Sequence, residues 1–80
     1  MEEIGKAQLD VLQDLRDFLT KERDYSINRR NIFIEGNRYQ EAAQQNSEAV
    51  GLDMAIAKIH LTQLRISKET YREANNDKKS

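Results

Sequence analysis

Apolar residues along the chain recur in alternating steps of four and three. From Ile4 the positions read Ile4, Gln8, Val11, Leu15, Phe18, Glu22, Tyr25, Arg29, Ile32, Gly36, Tyr39 and Ala43, with Leu12 and Leu19 widening the stripe early on. This is the period of one face of an α-helix. The stripe keeps its phase through Asp24-Tyr25-Ser26-Ile27-Asn28, a stretch of lower helix propensity with residues able to cap. One long helix to about residue 45 is therefore expected, the alternative being a three-helix bundle broken near 24–28. A turn is predicted at 44–47, where Asn46 or Ser47 can cap a second helix and Glu48 sits by its positive end. The helical pattern then runs to about Ala74, and the polar tail 75–80 is expected to fray. The expected fold is all-α: an antiparallel helical hairpin forming one domain over 1–74.

The second helix carries two apolar stripes. One is Val50, Met54, Ala57, Leu61, Leu64, Lys68 and Tyr71; the other is Leu52, Ile56, Ile59, Gln63 and Ile66. At about 100° per residue they fall on roughly opposite sides. A helix apolar on two sides needs two covers or leaves a patch exposed. Val11, Leu15, Phe18 and Tyr39, with Val50, Met54, Leu61 and Leu64, are the candidate hairpin core. Leu52, Ile56, Ile59 and Ile66 are the candidate oligomer interface, whose burial is worth on the order of 5–10 kcal/mol at about 1.5–3 kcal/mol per side chain. A homo-oligomer, in its simplest form a dimeric four-helix assembly, is favoured over a heterologous partner or a closed monomer. The overhang of a longer first helix, with Ile4, Val11, Leu12 and Leu15, would be covered the same way.

Composition narrows the function classes. The 80 residues hold 13 Lys+Arg and 14 Asp+Glu, a net charge of −1, with no Cys or Pro and one His. Bulk attraction to nucleic acid or an anionic membrane is not expected. Disulfide frameworks and thiolate metal sites are excluded. No apolar run approaches a bilayer span, and the first residues lack the basic and apolar regions of a signal peptide, so a cytoplasmic protein is expected. His60, between Ile59 and Leu61, reads as a partly buried structural histidine. No zinc, di-iron, calcium or phosphate-loop spacing is present, so no enzyme, cofactor or metal is expected.

Two charged features remain. Arg29 and Arg30 form a candidate basic patch, and Arg38 is spaced three residues from both Glu35 and Glu41, as helix ion pairs are. Glu3, Asp10, Asp14, Asp17 and Asp24 segregate from the apolar stripe as a candidate partner-binding acidic ridge. Residues 1–24 hold seven acids and four bases, net −3. Such a row is ordinarily a solvated helix face, and otherwise a surface complementary to a basic partner.

The runs Gly36-Asn37-Arg38-Tyr39-Gln40-Glu41-Ala42-Ala43 and Ala49-Val50-Gly51-Leu52-Asp53-Met54-Ala55-Ile56-Ala57-Lys58-Ile59 resemble short helical-hairpin proteins encoded by bacterial phages and prophages. The resemblance carries over no functional residue. It implies an accessory protein that binds and inhibits a host protein, defence enzymes included, in the host cytoplasm. The expected function is thus a non-enzymatic protein–protein interaction module. The alternatives are an assembly component whose homo-oligomer is the function and a nucleic-acid-associated helper using Arg29 and Arg30.

Overall fold

The computed structural model describes the backbone of residues 2–79 and the side chains of residues 4–72. Two helices, α1 (Glu2–Glu35) and α2 (Tyr39–Lys79), fold back on each other as a hairpin 65 Å long and 14 × 12 Å across. α1 is continuous through 24–28, as the unbroken phase of its stripe predicts. α2 continues as helix to Lys79, with the side chains beyond Arg72 and all of Ser80 outside the described residues.

The turn lies at Gly36-Asn37-Arg38, not at 44–47. Asn37 takes the left-handed conformation with φ 60°. The Asn37 amide donates to the Ile34 carbonyl at 3.0 Å and the Arg38 amide to the Phe33 carbonyl at 2.8 Å. That pair of bonds is a Schellman ending, in which the left-handed residue just past the helix lets the last carbonyls be satisfied. Arg38 then opens α2: its carbonyl accepts from the Ala42 amide at 3.0 Å. Its guanidinium grips Glu41 at 2.6 and 3.0 Å and lies 5.2 Å from the Phe33 ring centre. The expected caps inside α2 are otherwise engaged. Ser47 donates to its own helix at the Ala43 carbonyl, 3.1 Å, and Asn46 accepts from Arg30 of α1 at 2.9 Å.

This ending makes a direct prediction. Asn37→Gly relieves the left-handed residue of its side chain and should raise stability by up to about 1 kcal/mol. Asn37→Val should lower it by about 1–2 kcal/mol, the cost of that conformation for an ordinary L residue. Urea midpoints of the two variants give the order; equal midpoints would contradict the turn.

The seam between the helices is built of small and long polar residues more than of large apolar ones. Ala42, Ala49 and Ile56 are the buried hydrophobic residues among those described, with Ser26 buried beside them. Leu9, Leu12, Leu19, Leu52, Ile59 and Ile66 are half-buried. Gly5 permits close approach at its level, because a Cβ there would stand 2.7 Å from Thr70 Oγ1.

Three arginines mark the register. Arg16 reaches His60 Nδ1 at 3.0 Å and Gln63 Oε1 at 3.2 Å, Arg23 donates to Asp53 at 3.0 Å, and Arg30 donates to Asn46 at 2.9 Å. Each pair is displaced from the last by seven residues on both helices. The hairpin is thus an antiparallel heptad pairing, with arginine stems lying along the seam and their heads at its edge.

Candidate functional site

Positions one residue before and one after the seam define the two broad sides of this ribbon. On α1, Ile4, Val11, Leu15, Phe18, Tyr25 and Ile32 each come one position before a seam residue. They share their side with the corresponding α2 positions. One groove there is lined by Val11 and Leu12 with Arg65 and Ile66, and another by Phe18 and Leu19 with Gly51 and Leu52. We refer to this as the α1 face. On the opposite side, the α2 face, Val50, Leu64 and Tyr71 each follow a seam residue, and Met54 and Leu61 continue this apolar stripe onto the back of α2 by helical phase.

The apolar stripe of α2 expected at an oligomer interface packs inward, and the one expected in the core is exposed. Leu52, Ile56, Ile59 and Ile66, the candidate oligomer interface, instead lie on the phase of α2 that faces α1, Ile56 buried and the other three half-buried. The expected core is exposed: Val11 67%, Leu15 46%, Phe18 59%, Tyr39 63%, Val50 51%, Met54 59%, Leu61 64% and Leu64 48%. The physical reason is close approach. The seam phase carries Gly5, Ser26, Ala42 and Ala49, where two backbones can come together, and polar pairs that match across the helices. The stripe of larger residues offers neither.

The charged candidates separate as well. Arg30 is half-buried and turned toward α2, whereas Arg29 is exposed on α1, 5.7 Å from the Tyr25 ring centre and 5.6 Å from that of Phe33. They do not form one patch. Of the acidic ridge, Asp10, Asp17 and Asp24 recur every seven residues along the border of the α2 face. Asp14 points to the back of α1 by helical phase, and the Glu3 side chain lies outside the described residues. Asp17 accepts from Gln13 at 2.8 Å, and Gln13 in turn accepts from Gln63 at 3.0 Å. Asp24 and Asp53 flank Arg23 at 3.2 and 3.0 Å. Those two carboxylates, Asp53 foremost, hold the Arg23 guanidinium above its ordinary pKa.

His60 is exposed rather than partly buried, with its ring beside Arg16 at the seam's edge. Among the described residues no group of three or more His, Asp or Glu converges as metal ligands do, and no helix is long and apolar enough to cross a membrane.

Compared with protein families, curated proteins and solved structures, the chain matches none.

Proposed function

We propose that this chain is a non-enzymatic protein–protein interaction module that docks a helical partner on its α2 face. The observation that carries the reading is an exposed apolar stripe, Val50, Met54, Leu61 and Leu64, along the outer side of α2, with a heptad row of carboxylates at Asp10, Asp17 and Asp24 across the seam on α1. Contiguous apolar surface of this kind marks an interaction site on a folded protein. The partner it fits is an amphipathic helix with an apolar stripe and a basic flank. Apolar contact would supply affinity, and the carboxylates would supply steering and orientation. Occupying such a helix on a host protein is how an inhibitor of the kind implied by the phage-hairpin resemblance would work, with no chemistry required of this chain.

Leu61→Asp tests the docking. Leu61 is exposed in the hairpin, so the variant should stay folded while a charge enters the contact. A protein captured in stoichiometric amount by the wild type should be lost by Leu61→Asp. Combining Asp10→Asn, Asp17→Asn and Asp24→Asn should slow its association by about tenfold at low salt and flatten the salt dependence. Asp14→Asn should leave both unchanged. Capture of the same proteins by Leu61→Asp as by the wild type would sink the reading.

A further inference from the structure

We infer that the groove beside Phe18 on the α1 face is a binding site for an arginine side chain carried by a partner protein. The groove has a volume of about 580 Å³, and Phe18, Leu19 and Leu52 form its apolar part. Glu22 of α1 and Glu48 of α2 line it from opposite helices, together with Ser26 and Gly51. In the register of the arginine pairs, Glu48 stands level with Asn28. The two glutamates are therefore about 9 Å apart along the hairpin, with Ser26 and Gly51 between their levels.

The first ground is Ser26, which is 5% exposed. Thr20, Ser47, Thr62 and Thr70 each donate to the carbonyl four residues back. The Ser26 hydroxyl makes no hydrogen bond among the described residues. No fully enclosed side-chain oxygen among them lacks a partner, so this one opens into the groove it lines. A hydroxyl held this deep without a partner is an acceptor placed for a ligand, because leaving it unmet costs free energy.

The second ground is charge. Arg23 pairs with Asp24 and Asp53, and Arg38 with Glu41, whereas Glu22 and Glu48 make no ion pair among the described residues. Arg29, on the same side of α1, is turned to the rings of Tyr25 and Phe33. Two unpaired carboxylates and a hydroxyl beside apolar walls call for a cation on an apolar stem. A guanidinium fits better than an ammonium. Its planar fork donates to separated acceptors at once, and its face stacks on an aromatic ring such as that of Phe18. A groove open along one side suits a side chain on a protein segment, whereas small ligands are ordinarily held where most of their surface is buried.

The third ground is space. A Cβ at Gly51 would meet nothing within 4 Å, so α2 leaves the middle of the groove clear. The site is on the α1 face and does not rest on the docking proposed for the α2 face.

The test is an NMR titration of the isotope-labelled full-length protein with the blocked tripeptide Leu-Arg-Leu. Amide shifts should move saturably, most of all at Ser26, Gly51 and Leu52. Ser26→Ala should weaken binding about tenfold, as the loss of one hydrogen bond to a charged group does. Glu22→Gln combined with Glu48→Gln should weaken it by more than that; both residues are exposed, so this variant stays folded. Gly51→Leu fills the groove and should block binding, with circular dichroism showing the hairpin still helical. Equal affinity for Leu-Lys-Leu would overturn the inference by removing the need for a fork. Equal affinity for the uncharged citrulline peptide would do so by making the contact merely apolar, and for propylguanidinium alone by making this a small-molecule site. Full binding by Gly51→Leu would place the peptide elsewhere, and no shift with Leu-Arg-Leu at all would remove the site. Each of these failures leaves the capture result with Leu61→Asp standing on its own.

Discussion

Ile56→Asp is expected to unfold the hairpin, whereas Leu61→Asp, five residues along the same helix, is expected to leave it helical. Ile56 is 9% exposed and Leu61 64%. The register set by the arginine pairs places Leu19 level with Ile56 near the middle of the seam. A carboxylate there would lose the apolar burial of the isoleucine and gain no described cation as a partner. Leaving a charge uncompensated in such a site costs about 3–5 kcal/mol. An ordinary domain of this length has roughly 4–12 kcal/mol in total, at about 0.05–0.15 kcal/mol per residue. With only Ala42, Ala49 and Ile56 buried as hydrophobic residues among those described, this chain belongs at the lower end. Circular dichroism at 222 nm through a urea titration separates the two variants. A cooperative, helical Ile56→Asp beside an unfolded Leu61→Asp would return the two stripes of α2 to the roles expected from the sequence.

Ala49→Leu is the second large effect. Ala49 is 3% exposed and Ser26, level with it on α1, 5%, so the seam has no room for three more heavy atoms. Overpacking of this kind costs about 1–3 kcal/mol, and here the relief available is to splay the helices and expose Leu19, Leu52 and Ile56. A hydrophobic gain at this position should therefore lower the urea midpoint. Gly51→Ala, two residues away, supplies the opposite sign. An added Cβ there meets nothing within 4 Å, and replacing glycine inside a helix gains about 0.8–1.0 kcal/mol. A midpoint raised by Ala49→Leu would show that the helices are not in close contact at this level.

Much of this was legible along the chain, because helical period is a local property. The four-and-three spacing established all-α structure, the continuity of α1 across 24–28 and the presence of two apolar faces on α2. The turn was legible in principle. Gly36-Asn37 is a helix-ending pair, and Asn is among the few residues that adopt the left-handed conformation readily. It was outweighed by Asn46 and Ser47, whose capping chemistry is the same whether it meets a helix end, a carbonyl four residues back or an arginine from the other helix. Which of these a short polar side chain meets depends on what stands beside it.

Which apolar stripe turns inward was not a property of either helix alone. On α1 the phases beginning at Ile4 and at Gly5 differ by one residue, about 100° of rotation, and the first carries the larger side chains. Ranked by hydrophobicity it belongs inside. The tertiary structure decides otherwise, because antiparallel pairing rewards matching across two segments: Gly5 with Thr70, Arg16 with His60 and Gln63, Arg23 with Asp53, Arg30 with Asn46. Small residues gain contact only where another backbone comes close, and an arginine is at home in a seam only where an acceptor waits at the right level. The sequence by itself determined that this chain is helical with more apolar surface than one hairpin can bury. The packing of α1 on α2 determined which part of that surface remains exposed, since burial and hydrogen bonding are settled between residues far apart in the chain.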